Sequence, residues 1–209
     1  MNKSQLKYTA LTATLGLGLG TTIPFLVGNA KFHPERDSVR SQVSSFTVPL
    51  QVPKEVRFAD EVIPLDRYDL RERMDRELMA FTYMHSSTLL TLKRANRYFP
   101  VIEPILRKNG LPDDLKYLAV IESSLNPLAY SRAGAAGMWQ FMKGTGRDFG
   151  LEVNNNIDER YHLEKSTEAA CDYLKQAYAK YGSWLCVAAS YNAGQARISS
   201  QLEKQGVDR

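Results

Sequence analysis

Pro112-Asp113-Asp114-Leu115-Lys116-Tyr117-Leu118-Ala119-Val120-Ile121-Glu122-Ser123-Ser124-Leu125-Asn126-Pro127 is the stretch on which the fold of this 209-residue chain turns. Proline suits a first helical turn, where its missing N–H costs nothing. Asp113 and Asp114 then meet the positive end of the helix dipole. Leu115, Leu118, Ala119 and Glu122 fall at i, i+3, i+4 and i+7 and share one face. Asn126-Pro127 is a stop, because the residue before a proline is disfavoured in the α region. The spacing predicts a helix over 112–125 with one carboxylate on its apolar stripe, a turn before the helix ends.

Reading outward from this helix, Leu70, Met74, Leu78 and Phe81 recur at helical spacing from Asp66 onward. Ser86 or Ser87 can cap a second helix carrying Leu89, Leu92 and Ala95, which Pro100 is expected to break. Val101 to Lys108 reads as a short helix, with Gly110 as its stop. Downstream, Gly134, Gly137, Gly144 and Gly146 mark a glycine-rich stretch. Thr167–Tyr181 is then expected as a helix ended by Gly182, and Trp184–Tyr191 as a final helix ended by Asn192-Ala193-Gly194. There is no long strand pattern and no repeat. The fold class is mainly α.

The composition limits the function. Hydrophobic residues are 44% and charged residues 24%, the balance of a folding chain, which excludes wholesale disorder. Mean hydropathy of −0.35 excludes a multi-span membrane protein. The net charge is +4, and beyond Ala30 it is only +2, from 25 Lys+Arg against 23 Asp+Glu. With no basic cluster, no nucleic-acid partner is expected. Cys171 and Cys186 form no Cys-x-x-Cys pair, so a zinc knuckle or redox motif is not expected. No metal-ligand cluster is visible, and no cofactor is expected.

Residues 1–30 read as a signal peptide or N-terminal anchor. Lys3 and Lys7 precede an uncharged, mostly apolar stretch to Val27, and Gly28-Asn29-Ala30 offers small residues for cleavage. Cleavage is favoured, because Pro24 and four glycines weaken the stretch as a spanning helix. Either way the remainder lies outside the cytoplasm. An oxidising compartment permits a Cys171–Cys186 disulfide, and two buried thiols are the equal alternative. Residues 31–65, with Pro34, Pro49, Pro53 and Pro64, read as an irregular linker with short extended pieces.

Chemistry concentrates after the decisive helix. Apolar surroundings disfavour the Glu122 carboxylate and raise its pKa, which suits a proton donor near neutral pH. The plain alternative is a Glu that leans past the helix end or pairs with an arginine such as Arg132. Small residues from Ser131 to Gly137 let backbone approach a ligand. Gly137-Met138-Trp139-Gln140-Phe141-Met142 combines flat apolar faces, thioethers and one amide, which suits a sugar ring; for Trp139 and Phe141 the alternative is core packing. Asp148, Glu152, Asp158 and Glu159 read as solvated charges. Asp158 is the one that could fold back as a second acid. His85 and His162 read as surface or packing residues.

Three blocks occur in a fixed order: Ile121-Glu122-Ser123-Ser124-Leu125-Asn126-Pro127, then Gly134-Ala135-Ala136-Gly137-Met138-Trp139-Gln140-Phe141, then Ala189-Ser190-Tyr191-Asn192-Ala193-Gly194. With the lead-in Gly110 to Tyr117, they resemble the lysozyme-like (SLT) catalytic domain of lytic transglycosylases, of the membrane-bound D type, over about residues 65–205. The resemblance implies a lysozyme-like α-helical domain of the goose-type lysozyme superfamily. It implies peptidoglycan glycan strands as partner and Glu122 as catalytic acid, cleaving the bond between N-acetylmuramic acid and N-acetylglucosamine. Glu122 would then act as base on the muramyl C6 hydroxyl, which closes a 1,6-anhydro ring without water. Ser131 would contact the N-acetyl group, and Gln140 would bind the glycan, with Met142 lining the cleft. Tyr191 and Asn192 would orient the glutamate and the substrate, and Ser123, beside the acid, would bind substrate. Ordinary glycosidases need two carboxylates across the scissile bond; the blocks offer one, which fits an internal nucleophile.

Two departures accompany the resemblance. Trp139 stands where many relatives carry Met or Leu. Relatives also continue past the Tyr-Asn-Ala-Gly block with further helices, and many then carry LysM repeats, whereas this sequence stops at Arg209. The expected organisation is a helical segment over 66–110 packed on a transglycosylase domain over 111–209, with C-terminal helices missing. The product is expected as an exported monomer of the periplasm or cell envelope, with membrane association through the N-terminus. The rivals are a lysozyme-type muramidase and a non-catalytic peptidoglycan-binding protein.

Overall fold

The structure, a computed structural model, describes residues 50–206. The expectations for residues 1–30 and 31–49 lie outside the described residues. The described part opens with an antiparallel hairpin, β1 (Val56–Phe58) and β2 (Glu61–Ile63), in the register Val56↔Ile63 and Phe58↔Glu61. Ala59 and Asp60 form its two-residue turn, both at positive φ (49° and 64°), the geometry that matches the strands' twist. Seven α-helices follow: α1 (Tyr68–Tyr83), α2 (His85–Lys108), α3 (Lys116–Ser123), α4 (Lys143–Asp148), α5 (Leu163–Tyr181), α6 (Trp184–Ala193) and α7 (Gln195–Lys204). Short 3-10 turns, Asp113–Leu115 and Glu159–Tyr161, precede α3 and α5. The fold is mainly α, as the periodicity predicts. No described helix is long and apolar enough to cross a membrane.

The hairpin is tied into the helical body, although it falls within the stretch expected to be an irregular linker. Phe58 and Ala59 are buried in the main core, and Val56 and Leu65 join a smaller cluster with Met74 and Leu78 of α1. The Ala59 N–H donates to Asp114 Oδ2 at 2.8 Å. Glu61 accepts from the Ser183 hydroxyl at 2.6 Å and from the Trp184 N–H, so a carboxylate from β2 caps the N-terminus of α6.

Three helix expectations need correction. Pro100 does not break the second helix; α2 runs through both Pro100 and Pro104. An interior proline costs roughly 3 kcal/mol. Thr91, Ala95, Ile102 and Leu106 form one buried stripe, and Tyr98, Phe99 and Ile105 pack at its edge. Each fully buried Ile or Leu contributes about 1.5–3 kcal/mol, so the stripe offsets the prolines only if the helix stays in one register. The decisive helix begins later than expected, as a 3-10 turn leading into α3, and Ser124 and Leu125 end it in left-handed conformations (φ 51° and 56°). Gly194 stops α6 but does not end the helices, because α7 follows at once and buries Ile198 and Leu202.

Around α3 the core is closed to solvent: Leu115, Leu118, Ala119 and Leu125 are each at most 2% exposed, and Trp139, Ala170, Leu174 and Val187 belong to the same buried cluster. Cys171 and Cys186 are both buried and no disulfide joins them, which is the second of the two readings left open by the sequence.

Candidate active site

Glu122 sits in the last turn of α3, half-buried. Among the described residues its carboxyl has no hydrogen-bond or ion-pair partner, so the alternative of a pairing with Arg132 is not realised. Removal from water without a compensating cation pushes its pKa up to about 7. The helix can end here because two consecutive left-handed residues turn the chain sharply away, while the Arg94 guanidinium fastens the Ser124 carbonyl at 3.1 Å.

Next to it, joined through Ser123, is the glycine-rich segment, held by hydrogen bonds that the motifs do not announce. The Ser123 hydroxyl lies 3.0 Å from the Ala119 carbonyl and 2.9 Å from that of Met138, linking the end of α3 to the segment. Ser131 Oγ accepts from the Ala135 N–H at 3.0 Å and closes a tight turn. Gln140 adopts a left-handed conformation (φ 51°), and its amide nitrogen donates to the carbonyls of Gly137 (2.9 Å) and Ala129 (3.2 Å). That leaves its oxygen end for a ligand. Met142 is 44% exposed at the start of α4. Asn192 is exposed near the end of α6.

Tyr191 comes from α6 and is packed edge-on against Tyr173 (5.1 Å), Trp139 and Phe141 (6.5 Å each). Its hydroxyl donates to the Trp139 carbonyl at 2.7 Å rather than to Glu122. Burial first, and then the negative charge of Glu122, hold the Tyr191 phenol well above its ordinary pKa. Tyr173 of α5, absent from the sequence-based candidates, is also raised by burial; a hydrogen bond with Gln195 opposes the rise, and Tyr181 and Glu122 add to it. Its ring touches Tyr191, Phe141 and Phe149, so it belongs to the wall behind the acid. Its sequence signal was only a tyrosine inside a helical run. Trp139 and Phe141 realise the core-packing alternative. Trp139 is fully buried, and its indole N–H donates to Thr167 Oγ1 at 2.9 Å.

Asp158 and Glu159 correct the reading of solvated charges. Asp158 grips Arg160 with both carboxylate oxygens, at 2.8 Å to Nε and 2.7 Å to Nη2. That bond holds its pKa below the usual carboxylate range. Arg160 is 1% exposed and also donates to the carbonyls of Gly134 (2.7 Å) and Phe141 (2.8 Å). It is the internal brace of the glycine-rich segment. Glu159 accepts from Lys165 and from the Glu152 N–H. Asp148 and Glu152 are exposed, as expected. Gly137 explains one glycine of the second block: a Cβ there would lie 1.8 Å from the Arg160 carbonyl oxygen. Among the described residues no group of three or more His, Cys, Asp or Glu side chains could hold a metal ion.

The site thus combines one half-buried acid with a braced, largely backbone-built wall of glycine-rich chain. The family described as Transglycosylase SLT domain matches residues 99–208. Membrane-bound lytic murein transglycosylase D of Escherichia coli (strain K12) is 34% identical over 135 residues, covering 64% of this chain and 29% of that protein. A putative tributyltin chloride resistance protein of Alteromonas sp. (strain M-1) is 29% identical over 117 residues, 56% of each chain. Peptidoglycan transglycosylase gp16 of Escherichia phage T7 is 37% identical over 99 residues, 46% of this chain and 8% of that one. The chain spans less than a third of the length of the D-type relative.

Proposed function

The chain belongs to the transglycosylase SLT domain family, and on that premise we propose that it is a peptidoglycan lytic transglycosylase with Glu122 as its acid and base. The mainly α architecture accords with the lysozyme-like class that the motifs implied. One observation carries the proposal: the Glu122 carboxyl, without a partner among the described residues and raised to about 7, sits beside Ser123, whose hydroxyl lies 2.9 Å from the Met138 carbonyl of the glycine-rich segment. The one other carboxylate that could have folded back, Asp158, is engaged by Arg160.

In this mechanism protonated Glu122 gives its proton to the glycosidic oxygen as the bond to muramyl C1 breaks. The resulting carboxylate takes the proton of the muramyl C6 hydroxyl, whose oxygen attacks C1 and closes the 1,6-anhydro ring. The proton returns to Glu122, and water is neither consumed nor released. A pKa near 7 suits both directions of transfer. An internal nucleophile removes the need for a second carboxylate, and holding it in place supplies much of the acceleration. Ser131, the oxygen end of Gln140, Met142 and Asn192 are assigned as the glycan contacts. Ser123 and Tyr191 hold the wall they belong to.

The names of the relatives and the uncharged stretch behind Lys3 and Lys7 support an exported enzyme of the cell envelope, associated with the membrane through its N-terminus and acting on glycan strands. The test is Glu122→Gln in the full chain. Loss of muropeptide release with retained sedimentation on purified sacculi is expected. Retained release overturns the assignment of the acid.

A further inference from the structure

From Leu78 to Ile102 the chain contains no Asp or Glu, while it contains Lys93, Arg94 and Arg97. This stretch forms the end of α1, the corner at Met84 and the first three quarters of α2. Fourteen large apolar side chains are exposed among the described residues, and six of them lie in these 25 positions: Met79, Tyr83, Met84, Leu89, Leu90 and Leu92. The leucines are 60%, 48% and 46% exposed. Leu92 flanks the buried stripe of α2 (Thr91, Ala95, Ile102, Leu106), whereas Leu89 and Leu90 lie on the side turned away from it. Leu89, Lys93 and Arg97 follow at i, i+4 and i+8, so the cations line up with the apolar groups on the outer surface. Arg94 turns inward to the Ser124 carbonyl.

We propose that the α1–α2 corner docks the domain on the anionic surface of a lipid bilayer. Tyr83, Met84 and the leucines enter the boundary between headgroups and acyl chains, and Lys93 and Arg97 meet lipid phosphates. Apolar side chains accompanied by cations, with no carboxylate between Leu78 and Ile102, complement anionic lipid. A glycan strand offers hydroxyls and amides that leucine cannot match. On the anchor reading of residues 1–30, in which the stretch is kept, the chain itself supplies the proximity. Tyr8 to Gly28 is uncharged and mostly apolar, and 21 residues separate it from Leu50. Fully extended, these span at most about 70 Å, so a domain held through that stretch stays within reach of the bilayer surface. Docking by the corner gives the site a fixed orientation relative to the bilayer.

Cysteine labelling in the full chain tests this. Cys171 and Cys186 are buried, and burial pushes the Cys171 thiol up to about 12, so an environment-sensitive fluorophore reacts at Leu89→Cys in preference to them. The labelled chain is reconstituted in vesicles of phosphatidylglycerol and phosphatidylethanolamine. A blue shift and loss of emission to nitroxides on the lipid chains are expected at position 89, and not for a label at Asn155→Cys. Adding Lys93→Glu and Arg97→Glu should abolish both signals. An unquenched label at position 89 overturns the proposal, as does equal quenching at both positions or an unchanged signal in pure phosphatidylcholine. A blue shift produced without lipid, by raising protein concentration or by adding solubilised glycan strands, assigns the corner to a second copy or to glycan and also overturns it.

Discussion

The Tyr191 hydroxyl donates to the backbone carbonyl of Trp139 across 2.7 Å, joining α6 to the glycine-rich segment behind the acid. Tyr191→Phe keeps the ring contacts but leaves a buried carbonyl without its donor. The expected loss is about 1–3 kcal/mol. For a domain of this size that lowers Tm by about 2–4 °C per kcal/mol. Thermal unfolding reads the stability. Muropeptide release should fall in parallel, because the wall carrying Gln140 loosens.

Asp158→Ala should cost more than any surface change. Arg160 remains buried with its partner removed, and breaking a buried pair this way costs roughly 3–5 kcal/mol. The carboxyl of Asp158 sits below its ordinary pKa in the folded state, so its contribution is present above the unfolded value and is lost as pH falls through the folded one. Denaturant titrations of the wild type and of Asp158→Ala should therefore converge in strong acid and differ most at neutral pH.

Two glycines at positive φ separate crowding from backbone strain. Gly137→Ala puts a Cβ 1.8 Å from the Arg160 carbonyl oxygen, and the brace must move. Gly150 has a similar φ (83°) with nothing within 4 Å. Gly150→Ala should cost only the left-handed penalty, about 1–2 kcal/mol. Gly137→Ala should cost clearly more or fail to fold. Equal stabilities would contradict the packing described.

The raised pKa of Glu122 has a signature in stability as well as in rate. Its folded value, about 7, lies above the ordinary 4.5. Its contribution is thus full below the ordinary value and is lost as pH rises through 7. Glu122→Gln removes this dependence, so the variant should gain on the wild type between pH 5 and pH 8 in urea titrations. In the wild type kcat/KM should fall as pH rises above about 7, because the free enzyme must carry the proton it donates.

How much of this was legible in the sequence depends on how local the cause was. The α3 stripe could be read directly, because Leu115, Leu118 and Ala119 repeat within two turns and bury together. The course of α2 through Pro100 could not, since the stripe that stabilises it packs against elements far along the chain. Helix α7 had a readable Ile198–Leu202 pair, but Gly194 read as a terminus rather than a corner. Arg160 was hidden for a different reason. An arginine is normally solvated, and its burial depends on carbonyls of Gly134 and Phe141 that only the folded chain presents. The motif residues were located, yet Ser123 and Tyr191 spend their hydroxyls on the backbone, which residue type alone does not reveal.

The most direct test of the central claim is mass spectrometry of the muropeptides that the full chain releases from purified sacculi. The account predicts products with 1,6-anhydromuramyl ends, one water lighter than hydrolysis would give, and none from Glu122→Gln. Reducing muramyl ends from the wild type would contradict it, because they require a water molecule where the account places the C6 hydroxyl.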